Sequence, residues 1–203
     1  MSTSLSDRLN QILPRVTSND FLSSEGIGND IACHIFDYPA KDELTVREHI
    51  EMMMRRFASH HSELRVLHLN LLDVVVKYLK KRGLYDRAVE MQRTKDGASL
   101  IRALKGPLSA EKRRDFIAAE HDLANEDLLL VSGVGSVWPL LRAHTLLNCM
   151  HTVMWKTPLV MFYPGSFDGK TLRLFGRIEK ASSKPGKDSY YRAFILVPGG
   201  NEE

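Results

Sequence analysis

In this 203-residue chain the run Gly165-Ser166-Phe167-Asp168-Gly169-Lys170-Thr171 comes close to the pattern that binds a nucleotide phosphate. Such a loop follows a strand, wraps the phosphates in backbone N–H groups and then opens a helix whose N-terminal dipole favours the anion. Here the run is one residue short, and Thr171-Leu172-Arg173-Leu174-Phe175 carries on with the alternation of a strand. Gly133-Val134-Gly135 stands where a dinucleotide fingerprint would stand, but Trp138 takes the place of the third glycine, which that fold needs for close helix packing. Together these fragments support at most a degenerate nucleotide-binding domain with its glycine loop eroded.

Metal and nucleophile chemistry fare no better. Of the eight histidines, His144 and His151 share a predicted helix face. Seven residues of helical rise put them about 10 Å apart, too far for one ion. His60 and His61 point to different sides of a helix, and no His-Glu-x-x-His spacing occurs. Ser132 and Ser136 lack the Gly-x-Ser-x-Gly elbow that exposes a nucleophile. The two cysteines, Cys33 and Cys149, are far apart and read as buried thiols rather than as a disulfide or zinc pair. The expectation is therefore a chain without catalytic residues, metal or cofactor, and not an enzyme.

Charge is distributed unevenly. The segment 77–114 holds twelve basic residues against four acidic ones, a net +8, so the remainder of a chain at +3 nets −5. A stretch of this kind can lie along a phosphate backbone, through Lys80, Lys81, Arg82, Arg102, Lys105, Lys112, Arg113 and Arg114. Its only aromatics are Tyr78 and Tyr85, too few to interleave with the cations and stack on unpaired bases, which favours a solvated helical face over a DNA or RNA contact.

These residues need elements to position them. At 43% hydrophobic and 26% charged the chain can bury a core, and its length suits one domain, residues 1–203. The first clear unit is an apolar strand from Asp30 to Tyr38, followed by a helix from Asp42 to Ser59 with Asp42 as N-cap and Leu44, Ile50, Met54 and Phe57 near one face. A strand at 64–69 and a helix at 71–81 stopped by Gly83 come next. Residues 84–125 read as helical, broken near Gly97 and Gly106-Pro107, with a fresh start at Ser109. Asp127 to Ser132 and Pro158 to Tyr163 are short apolar strands of the type buried on both faces of a parallel sheet. A helix is expected from Pro139 towards Trp155, and 171–178 should pair with 190–197 as a C-terminal β-hairpin. The sum is an α/β fold, a mostly parallel central sheet with flanking helices, three-layered and P-loop-like without a functional P-loop. No run approaches the roughly 20 apolar residues that span a bilayer, and Met1 to Asn10 lacks the apolar core of a signal peptide, so a cytoplasmic, membrane-free location is expected.

In an open parallel sheet the strand C-termini converge on one edge, where ligands usually sit. Three unusual runs fall there: Phe36-Asp37-Tyr38-Pro39, Gly133 to Pro139, and Tyr163-Pro164-Gly165. Arg142 and His144 follow close behind, and an arginine offers a planar fork to a carboxylate or phosphate.

The segments FDYPAKDELTVREHI, LLLVSGVGSVWPLLRAHTLLNCM, PLVMFYPGSFDGKTLRLFGRI and YYRAFILVP together closely resemble the BrxB family, a small core component of bacterial BREX phage-exclusion systems. The resemblance covers nearly the whole chain. It implies antiviral defence beside an alkaline-phosphatase-like PglZ protein, the PglX adenine methyltransferase and a large BrxC ATPase, and it implies no established catalytic activity. The leading expectation is an adaptor that docks the PglZ-like subunit through an apolar, arginine-bearing surface comprising Asp37, Tyr38, Trp138, Arg142, His144, Tyr163, Phe175 and Arg192.

Overall fold

A computed structural model describes residues 4–23, 33–141, 157–176 and 193–199. Five strands lie side by side in the order β2-β3-β4-β1-β6, where β1 is Cys33–Tyr38, β2 Val66–Asn70, β3 Leu128–Ser132, β4 Leu159–Phe167 and β6 Ala193–Ile195. All four of these pairings are parallel. A sixth strand, β5 (Leu172–Leu174), turns back antiparallel on the end of β4.

The central strands are apolar on both faces because both are covered. Leu128 to Ser132 of β3 are buried without exception, and alternate residues divide between two cores. Leu129, Val131 and Met161 face one cluster, while Leu128, Leu130, Val160 and Phe162 face the other. The second cluster is closed by α1 (Leu5–Asn10), α2 (Ile12–Val16), α3 (Asn19–Ser23) and α4 (Glu43–His60). The first is closed by α5 (Leu71–Lys81), α6 (Tyr85–Thr94), α7 (Gly97–Lys105) and α8 (Ala110–Glu120). The result is the expected three-layer α/β arrangement.

Several expectations need correction. The strand at 193–195 does not pair with 172–174 as a terminal hairpin. It joins β1 in parallel at the sheet edge, through Cys33↔Ala193 and Ile35↔Ile195, while β5 pairs with β4. The polar loop between the two segments suggested a hairpin, but β1 offered a longer apolar edge. Helix α4 buries Val46, Ile50, Met53 and Phe57, so Leu44 points to solvent at 70% exposure and Asp42 makes no side-chain cap. The chain does not enter a helix at Pro139: Gly135–Val137 form a 3-10 turn, the Trp138–Pro139 peptide is cis, and turn geometry continues to Leu140. The rest of that expected helix, with His144, Cys149 and His151, lies outside the described residues. Helices α1 to α3 were not foreseen. They are five or six residues long, too short to show a helical period, and hold by burying Leu9, Ile12, Val16 and Phe21.

Candidate functional site

Because β1 to β4 run parallel, Tyr38, Asn70, Ser132 and Pro164 mark a shared carboxyl edge. A polar chain crosses part of it. The buried Tyr38 hydroxyl donates to Glu43 Oε2 at 2.5 Å, Arg47 Nε donates to Glu43 Oε1 at 2.8 Å, and Arg47 Nη2 donates to Ser136 Oγ at 3.0 Å. Burial, reinforced by the Glu43 carboxylate, holds the phenol well above the usual tyrosine range, so Tyr38 stays a neutral donor. This network ties the start of α4 to the turn after β3.

Asp37 is likewise committed within the chain. Arg8 Nη2 donates to its Oδ1 at 2.7 Å, and the Phe167 amide donates to its Oδ2 at 3.0 Å. The same guanidinium, buried over the Phe36 ring, donates to the Val197 carbonyl at 2.9 and 3.3 Å. Arg8 thus fastens α1, the end of β1 and the segment after β6 in one place.

Two large aromatics remain in solvent at this edge. Trp138 is 48% exposed and Phe175 44%, and their rings meet edge to face with centroids 6.4 Å apart. Phe175 has φ +53°, a left-handed backbone that costs a non-glycine residue about 1–2 kcal/mol. Its N–H donates to the Pro164 carbonyl at 2.9 Å, which anchors the turn. Gly135 lies against both Pro164 and Phe175: a Cβ there would stand 2.9 Å from the Phe175 ring and 3.0 Å from the Pro164 ring. Close by, Gly133 has φ +74°, and a Cβ on it would meet Asn70 Oδ1 at 2.6 Å, displacing the side chain that caps α5 through the Leu72 amide. Gly133 and Gly135, which in sequence give only weak support to a dinucleotide loop, therefore clear room for an aromatic surface and a helix cap. Strain combined with exposure of apolar rings is the pattern of a surface shaped for something other than the stability of the free fold.

The other chemical fragments resolve as follows. Gly165 to Phe167 are part of β4, Asp168 Oδ1 accepts from the amides of Lys170 and Thr171 at 2.9 and 2.7 Å, and Arg173 pairs with Asp168 at 3.0 Å. That is a tight turn between two strands, with no helix N-terminus to receive a phosphate. His68 Nε2 lies 2.8 Å from Ser132 Oγ, the spacing of a base and a nucleophile. Ser132 is only 4% exposed, however, so the hydroxyl has no open approach. Among the described residues no group of three or more His, Cys, Asp or Glu side chains could hold a metal ion, and no helix is long and apolar enough to cross a membrane. Burial raises the Cys33 thiol to about 12, as suits an inert core cysteine.

Of the eight foreseen docking residues, the structure brings Trp138 and Phe175 together on the surface. It buries Tyr38 and Tyr163 and binds Asp37 internally. Arg142, His144 and Arg192 lie outside the described residues. Arg8, Glu43, Arg47 and Ser136 were missed. The Glu43/Arg47 pair had a sequence signal, an i,i+4 ion pair at 2.8 Å, whereas nothing local marks Arg8.

Much of the basic segment is engaged within the fold. Lys77 and Lys81 both pair with Glu120, pulling its carboxyl down to about 2 and linking α5 to α8. Lys80 lies 5.1 Å over the Tyr85 ring and Arg82 5.7 Å over Tyr78. Lys112 donates to the Gly106 carbonyl, Arg114 pairs with Asp115, and Arg113 is buried and donates to the Leu108 carbonyl, which removes it from any nucleic-acid face. Arg102 and Lys105 are exposed.

Fold and site together define a three-layer α/β protein whose carboxyl sheet edge carries an exposed aromatic platform in place of a phosphate cradle. The comparisons are specific. Residues 67–196 match the family model described as BREX protein BrxB. The BREX protein BrxB of Escherichia coli O9:H4 (strain HS) is 39% identical over 191 residues, which cover 94% of this chain and 90% of that protein. The BREX protein BrxB of Bacillus cereus (strain H3081.97) is 35% identical over 195 residues, covering 95% and 97%. This chain belongs to the BrxB family. No solved structure matches it.

Proposed function

We propose that the chain is a non-catalytic component of a BREX phage-exclusion system, an adaptor that docks the PglZ-like subunit through the Trp138–Phe175 edge, within a larger complex that includes the PglX methyltransferase and the BrxC ATPase. The carrying observation is that edge: two half-exposed aromatic rings, one on a left-handed backbone, set at the converging strand ends. Rigid aromatic side chains give large contact area for little lost rotamer freedom and are enriched among residues that dominate binding energy. The fragments that could have done chemistry support the same reading, since the glycine loops serve turns and the Ser132–His68 pair is shut in. The cations of α5 to α8 that bind Glu120, Tyr85 and Tyr78 weigh against nucleic acid as the main partner.

The test is co-purification of the tagged chain with the PglZ-like subunit, after nuclease treatment and at low and high salt. The adaptor reading predicts a complex that survives both treatments and is lost when Trp138 and Phe175 are both replaced by alanine. A complex dissolved by nuclease assigns the contact to nucleic acid, and one dissolved by salt alone assigns it to charge rather than to the aromatic edge.

A further inference from the structure

Away from the aromatic edge, helices α6 and α7 face each other across an open groove of ≈ 240 Å³. Its walls are Leu84, Ala88 and Met91 on one side and Leu100, Ala103 and Leu104 on the other, each set at the i, i+4, i+7 or i, i+3, i+4 spacing of one helical face. Alanines at the middle of both walls leave the gap. Helix α6 has no buried residue at all, so its apolar stripe is only half covered by the rest of the fold. The volume is below the roughly 300–1,000 Å³ of small-molecule sites, but it suits a few apolar side chains of a helix laid between two others. The charged side chain lining it is Arg87, which makes no ion pair among the described residues; on the flanks Arg102 and Lys105 of α7 are exposed, and so are Asp86 and Glu90 of α6.

We propose that the α6/α7 groove is a second docking site, one that receives an amphipathic helix of a partner protein carrying apolar residues at i, i+3/i+4 and i+7 and a carboxylate opposite Arg87. The apolar face seats between the alanines, and the carboxylate pairs with the guanidinium in a charge-assisted hydrogen bond. This site is built from elements that do not carry Trp138 or Phe175, so it stands or falls independently of the adaptor reading.

The probe is a pair of designed helical peptides of about 18 residues, or five turns. Both have leucines at the groove-facing positions; one has glutamates on its flanks and the other lysines. Titration of the full chain should show the glutamate peptide binding about tenfold more tightly than its lysine twin. Arg87→Glu should reverse that order. Ala103→Leu, which fills the groove with a good helix former, should abolish binding while leaving the thermal midpoint unchanged. Failure of the glutamate peptide to bind, or binding indifferent to both substitutions, overturns the proposal. So does self-association of the chain that Ala103→Leu removes, because the groove would then belong to a second copy.

Discussion

His34 shows how one side chain records its surroundings. It lies in the core with Phe21 and Phe194 at ring distances of 4.5 and 5.7 Å, and its Nδ1 finds no partner among the described residues. Burial, with help from the charge of Arg15, lowers its pKa from 6.5 to about 4. Between those values the unfolded chain binds a proton that the folded chain refuses, so stability falls as pH drops from 6.5 to 4. The effect amounts to up to about 3 kcal/mol. In His34→Phe, which keeps the aromatic packing, urea melts at pH 7 and pH 4.5 should differ by correspondingly less than in the unsubstituted chain. At Phe175 stability and function should separate. Phe175→Gly relieves a left-handed backbone worth about 1 kcal/mol and removes an exposed ring, so the urea midpoint should hold or rise while docking is lost. A marked fall in stability with docking intact would make the ring a structural part. Trp138 was legible in the sequence within a run at a predicted strand end, and Phe175 through the family resemblance alone, since it falls inside the predicted strand 171–178. The positive φ that distinguishes Phe175 was not, because a backbone angle set by the Pro164 carbonyl and the β4–β5 pairing has no local sequence signal.

At the scale of elements, legibility followed length and periodicity. Helix α5 was placed at its observed bounds, Leu71–Lys81, because Gly83 stops a strong apolar stripe, and the structure adds the Asn70 cap at its start. The α6, α7 and α8 breaks followed from Gly97, Gly106 and Ser109. Pairing of the last strand was misread because edge selection depends on where β1 lies in the folded sheet, which no neighbouring residue encodes. Arg8 escaped for the same reason, since its partners Asp37 and Val197 are distant in sequence. Its role is testable. Arg8→Met removes the ion pair and both bonds to the Val197 carbonyl, leaves a largely buried Asp37 short of a partner, and should destabilise the fold by about 2–4 kcal/mol. Hydrogen exchange should then rise first in β6, which has β1 as its neighbour in the sheet and the Arg8–Val197 bonds beside it. Uniform exchange across all strands would contradict a local fastening.

For the whole molecule, the three layers place two surfaces on different elements: an aromatic edge where the parallel strands end, and a groove between α6 and α7. The net +8 of residues 77–114 left a nucleic-acid face as the alternative reading of the sequence, and in three dimensions Lys77 and Lys81 converge on Glu120 and Arg113 turns inward. Charge counting cannot see such pairings across helices. Family membership places the chain among BREX proteins, and the role proposed for the aromatic edge rests on its two exposed rings. The central claim is that this edge binds the PglZ-like subunit by apolar contact. The most direct measurement is the dissociation constant of the purified pair at low and high salt, for the unsubstituted chain and for Trp138→Ala/Phe175→Ala. We predict an affinity that changes less than about threefold with salt and weakens by about a hundredfold or more in the double variant, as truncation of two interface anchors requires. An affinity that falls log-linearly with salt, or that ignores the double substitution, would contradict the account.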